Sequence, residues 1–121
     1  MRTFFRHLEV RRVGTAVVAY FVRPRILDGS EHDELAEELR EVVQQHRPKM
    51  LVLNLRNVVF LPSAVLSHLV TFKVRLAKEG RLLALTNLRP EIAEILRIAA
   101  LDRWFDIYPD ERDALAACAE K

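Results

Sequence analysis

Ser63 stands where a buried-looking segment, Met50–Leu55, passes through a short loop into a helical repeat. A hydroxyl at a helix start has two uses. It can cap the helix by accepting from a free backbone N–H, which is worth about 1 kcal/mol. It can also accept a phosphoryl group, because free N–H groups and the positive end of the helix dipole suit an anion. The residues around Ser63 leave both uses open.

Other chemistry is sparse. Ser63 and His68 would lie about 140° apart on one helix, so they cannot form a nucleophile–base pair there. His7, His32, His46 and His68 show no metal-ligand spacing with each other or with Cys118, and they read as solvated structural histidines. The sequence implies no metal and no cofactor. Gly14, Gly29 and Gly80 form no phosphate-cradling cluster. Cys118, among Ala116, Ala117 and Ala119, reads as a small packing residue. The acids between Glu31 and Glu41 spread around their helix and read as a solvated face, not a paired acid and base. No active site emerges, and the expectation is a protein that is not an enzyme.

The elements that position Ser63 follow from periodicity. Phe4–Val10 partly alternates and reads as a half-buried strand, with Arg11–Gly14 as the turn. Thr15–Val22 is rich in β-branched residues and reads as a second strand, ended by Pro24. Asp28-Gly29-Ser30 is helix-start chemistry, and Leu35, Leu39, Val42 and Val43 recur on one helical face. Met50–Leu55 suits a central strand, with Asn54 as one polar interruption. From Ser63 to about Lys78, Val65, Leu66, Leu69, Phe72 and Leu76 trace an apolar stripe, and Gly80 is placed to end it. Arg81–Thr86 is a further strand, and Pro90 sits at a first helical position. Leu101–Ile107 returns Trp104 and Phe105 to the core with room for a short last strand. Asp110 then caps a terminal helix, Glu111–Glu120.

The predicted order is β-β-α-β-α-β-α-(β)-α. It makes one α/β domain over residues 1–121, with a mixed sheet of four to five strands and about four helices. At 121 residues, 50% hydrophobic and 30% charged, the chain can bury one core without staples. A single cysteine suits a reducing compartment, and no apolar run approaches the ~18 residues of a membrane span. The N-terminus lacks the continuous apolar stretch of a signal peptide. A cytoplasmic protein is the expectation. The net charge is +2 but segregated: arginines crowd residues 1–26 and acids crowd residues 28–41. Blocks of that kind reflect solvated faces and intramolecular complementarity, and without aromatic interleaving or a basic helix nucleic acid is not the expected partner.

The segment Phe60-Leu61-Pro62-Ser63-Ala64-Val65-Leu66-Ser67 resembles the signature Phe-(Ile/Leu)-Asp-Ser-(Ser/Thr)-Gly-Leu-Gly of the STAS domain, seen in bacterial anti-sigma factor antagonists. Leu27-Asp28 is similar to that family's Leu-Asp pair before the first helix. The run from Leu96 through Leu101-Asp102-Arg103-Trp104-Phe105-Asp106-Ile107-Tyr108 is similar to its closing pattern. The similarity spans nearly the full length. Pro62 stands at the family's Asp, Ala64 at its second hydroxyl, and Val65 and Ser67 at its glycines.

The resemblance implies a single STAS-like domain that binds a partner, a serine kinase that doubles as an anti-sigma factor. Ser63 is then the implied phosphoacceptor, and Asp28, Pro62, Ser63, Ala64, Val65, Ser67 and His68 the implied partner surface. Phe60 and Leu61 read as core. Two other roles fit the same scaffold. One is an unphosphorylated module that forms a homodimer or a larger assembly. The other is a small-ligand or nucleotide-binding domain holding an anion at the Ser63 helix start.

Overall fold

The computed structural model describes residues 2–25 and 29–120. The chain opens with strands β1 (Arg2–Phe4), β2 (Leu8–Val13) and β3 (Ala16–Phe21), followed by helix α1 (Gly29–His46) and strand β4 (Met50–Asn54). Helix α2 (Ser63–Lys78), strand β5 (Leu82–Thr86), helix α3 (Pro90–Ile98), strand β6 (Asp106–Tyr108) and helix α4 (Glu111–Glu120) complete it. The strands lie in sequence order in one sheet. β1, β2 and β3 pair antiparallel, and β3 through β6 pair parallel.

The six strands among the described residues exceed the predicted four to five, because the predicted first strand is two. The chain reverses at Phe5–His7, where the His7 amide leaves the ladder and donates to a Glu38 carboxylate oxygen at 2.9 Å. The predicted turn at Arg11–Gly14 is shorter than its composition suggests. β2 runs on to Val13, which pairs with Ala16, and only Gly14 and Thr15 form the loop. Gly14 supplies the positive φ, +60°, that a two-residue hairpin loop needs.

Period-two alternation divides the core into two layers. Val17, Ala19 and Phe21 of β3, Leu51 and Leu53 of β4, and Leu83 and Leu85 of β5 pack under α1, α2 and α3. The intervening Ala16, Val18, Met50, Val52 and Ala84 meet Ala114 and Cys118 of α4 on the other face. Each fully buried Leu or Val contributes roughly 1.5–3 kcal/mol. Small residues on the α4 face let a short helix lie close to the sheet. Cys118 is a packing residue there, with its Sγ 3.8 Å from Thr15 Oγ1.

Local signals explain several element ends. Asp110 Oδ1 accepts from the Asp113 amide at 2.9 Å, capping α4. Pro90 is the first residue of α3, and Gly80 follows α2 with φ +73°. The segregated charges meet as predicted: Arg6 pairs with Glu34 at 2.7 Å and Arg23 with Glu31 at 3.6 Å. Away from the Ser63 segment, His7 and Trp104 depart from their predicted places. His7 is buried against α1, 3.5 Å from Glu34, instead of solvated. Phe105 is buried as predicted, but Trp104 stays exposed with Lys73 Nζ 5.1 Å over its ring.

Candidate functional site

Ser63 sits where the parallel strands deliver their loops, at the C-terminal edge of the sheet. Open α/β sheets place their functional groups at that edge. The loop 55–62 leaves β4 and is tied down on both sides. The Leu55 amide donates to Thr86 O at 2.9 Å, and the Val59 amide to Pro24 O at 3.0 Å. Asn57 Nδ2 donates to Phe21 O at 3.3 Å, and Arg89 Nε to Arg56 O at 2.8 Å. Val58 and Leu61 are buried and act as apolar pins.

The loop's first anchor is Asn54, the polar interruption of β4. Its Oδ1 accepts from the Arg56 amide at 3.0 Å, and its Nδ2 donates to Glu111 Oε1 at 2.9 Å. Glu111, in the first turn of α4, also accepts from the Tyr20 hydroxyl at 2.8 Å and from Arg11 at 2.7 Å. Burial, and then the hydrogen bond to Glu111, push the Tyr20 hydroxyl above its ordinary pKa. Its hydrogen bond to Tyr20 raises Arg11, with Glu111 adding to that. Thus β2, β3, β4 and α4 are cross-linked beneath the loop.

At the helix start Ser63 does not serve as the cap. Pro62, not Ser63, is the N-cap residue, with φ −62° and ψ 153°, and no side chain caps the helix. The Pro62 carbonyl accepts from the Leu66 amide at 3.1 Å. Ser63 is the first helical residue and is exposed. The capping reading is therefore corrected: proline fits the extended cap conformation without strain, which shifts Ser63 one place into the helix. The amides of Ser63, Ala64 and Val65 have no acceptor within the helix, and the first turn carries no acid.

The residues predicted around Ser63 fall into three groups. Ser63, Ala64 and Ser67 are exposed, Pro62 is half-buried, and His68 is half-buried with Nε2 3.6 Å from Asp33. These lie together on the outer side of the first two turns of α2. Val65 is fully buried, a correction to its place on a partner surface; its helical position faces the sheet, so it fills core where the resembled signature has glycine. Asp28, with Leu27, lies outside the described residues.

Sequence reading missed two features. Phe60, predicted as core, is 43% exposed and carries the Arg25 guanidinium 5.7 Å over its ring. It abuts Leu61, so composition cannot tell which of the two turns inward. Arg25, Arg56 and Arg89, all exposed, are carried on the loops after β3, β4 and β5. Their only sequence signal is position, each a few residues beyond a strand end.

The family model of the STAS domain matches residues 7–114. The fold is similar to that of an anti-sigma-factor antagonist STAS domain protein from Planctomyces limnophilus, with TM-score 0.81 and 23% identity, over 93% of this chain and 97% of that one. It is also similar to an anti-sigma factor antagonist from Mycobacterium paratuberculosis, with TM-score 0.79 and 27% identity, over 93% and 92% of the two chains. A third likeness is to the Bacillus cell fate determinant SpoIIAA in its phosphorylated form, with TM-score 0.66 and 14% identity, over 91% and 98%. A matched segment of this extent, on a mixed sheet with its strand–loop–helix unit at Ser63, makes this chain a member of the STAS domain family.

Proposed function

We propose that this protein is a signalling module of the anti-sigma factor antagonist type, acting by contact and not by catalysis. Its partner is a serine kinase that doubles as an anti-sigma factor. The contact centres on Ser63, Ala64, Ser67 and His68, with Pro62 and Phe60 at the rim. Phosphorylation of Ser63 releases the partner.

The observation that carries this reading is the spare hydroxyl at the start of α2. Capping falls to Pro62, so Ser63 is exposed and does no structural work there. A phosphate on Ser63 adds about −1.5 to −2 charges and three acceptor oxygens. The unpaired amides of the first turn and the helix dipole accommodate that charge, so the domain stays folded. Within a complementary protein interface the same charge is desolvated and repelled, which weakens the complex. The phosphorylated state of a structurally similar protein supports a switch of this kind.

The test combines co-purification and intact mass. The protein is incubated with each candidate serine kinase of the anti-sigma type from its genome, with and without ATP. The expected result is a stable complex with one such kinase, then one added phosphate on wild type, none on Ser63→Ala, and dissociation of the modified protein. Absence of binding to every candidate contradicts the proposal.

A further inference from the structure

The C-terminal halves of α1 and α2 leave a cleft of about 150 Å³ between them. Arg40 and Arg47 from the first helix segment, Arg75 from α2, and Arg81 from the entry to β5 line it, against a single carboxylate, Glu79. Its floor is apolar, formed by Val43, Phe72 and Leu76, all buried. A second hollow of about 70 Å³ continues it along the helix pair and shares Arg40, Phe72 and Arg75.

Two of the arginines are held in place. Arg81 Nη1 donates to Pro48 O at 2.7 Å and its Nε to Glu79 at 3.2 Å, while Arg40 pairs with Glu37. Arg47 and Arg75 are exposed, and among the described residues neither side chain has a hydrogen bond or ion pair. Cations at helix C-termini complement the dipole, and that accounts for Arg75 in the last turn of α2. It does not account for Arg40, nearly two turns before the end of α1, or for Arg81, which lies beyond α2. Arg47 also keeps its side chain at φ +46°, a left-handed conformation that glycine adopts freely. Arg40 and Arg81 are each matched by a carboxylate, Glu37 and Glu79, whereas Arg47 and Arg75 line the same cleft with no carboxylate to balance them among the described residues.

We propose that this cleft is an anion site that takes a phosphate group, free or borne by a small organic phosphate. Guanidinium forks match phosphate oxygens in paired hydrogen bonds, and arginine is the side chain best suited to that planar recognition. The pre-held Arg40 and Arg81 form a fixed wall, and Arg47 and Arg75 close on the ligand. The apolar floor gives an organic phosphate a surface on which to rest. The site is separate from the Ser63 surface: Arg75 lies twelve residues further along α2, about 18 Å at the rise of an α-helix.

The test follows the arginine Nε–Hε NMR signals of the whole protein as inorganic phosphate, and then ATP, is added at constant ionic strength. The expected result is saturable shifts confined to Arg40, Arg47, Arg75 and Arg81, with a Kd of about 1 mM or tighter. The Arg47→Gln, Arg75→Gln double variant, altered only at exposed side chains, weakens binding at least about tenfold, while Arg97→Gln on α3 leaves it unchanged. Tighter binding of ATP than of phosphate at the same four arginines identifies an organic phosphate as the ligand, and equal binding identifies the free anion. Shifts that stay linear to the end of the titration, or that are as large at Arg97 and Arg112 as in the cleft, overturn the proposal.

Discussion

Pro62 takes the N-cap of α2 and leaves Ser63 the first helical position, with its hydroxyl in solvent and outside the helix's hydrogen bonds. Under the proposed function, this division of labour separates stability from signalling. Removing a capping hydroxyl costs about 1 kcal/mol, whereas an exposed side chain that does nothing structural changes stability by less than about 0.5 kcal/mol. Ser63→Ala is therefore expected to unfold in urea within about 0.5 kcal/mol of wild type. Substituting the cap itself is also mild, because Pro62 contributes backbone conformation and a carbonyl but no side-chain acceptor.

Glu111 is expected to be a large stability determinant outside the apolar core. It accepts from Asn54, Tyr20 and Arg11 between α4 and the sheet. Glu111→Ala leaves the buried Asn54 amide without its acceptor and should destabilise the domain by about 2 kcal/mol. Glu111→Gln keeps an acceptor oxygen but loses the charge opposite Arg11, and should cost about half as much. Urea denaturation measures both. The Arg56 amide, bonded to Asn54 Oδ1, should exchange faster in Glu111→Ala, since Asn54 then loses its second tether.

Acidification should weaken the fold through His46. Burial, and then the Arg12 charge, hold its pKa below the ordinary histidine value, and its Nε2 is buried without a partner. A group whose folded pKa is depressed binds fewer protons in the folded state than in the unfolded one. Its stability contribution is present above the unfolded value of about 6.5, and is lost as pH falls through the folded value. Denaturation midpoints measured between about pH 8 and pH 5 should fall with pH, and His46→Gln should flatten part of that slope. An unchanged slope in the variant excludes His46 as the source.

The sequence is most legible where one period dominates. The α2 stripe of Val65, Leu66, Leu69, Phe72 and Leu76 is buried as its spacing predicts, with ends set by Ser63 and Lys78. Asp110 and Pro90 mark helix starts by chemistry that acts within a few residues. Long-range contacts are not legible in that way. His7 is buried because α1 returns to it with Glu34 and Glu38, and no local pattern announces that. Asn54 looks like a flaw in an apolar strand until Glu111, 57 residues later, arrives to accept its hydrogen bond. At the site the motif fixed the neighbourhood but not the inward turns: Val65 packs inside, as its spacing predicts and against the partner-surface place the resemblance implies, and Phe60, predicted as core, stays out.

The central claim is that a partner docks on the Ser63 surface and that negative charge there releases it. Calorimetric titration of the partner kinase with wild type, Ser63→Ala and Ser63→Glu tests it most directly. Ser63→Ala should bind within about threefold of wild type, and Ser63→Glu at least about a hundredfold more weakly, at unchanged stability. Equal affinity of wild type and Ser63→Glu would contradict the account.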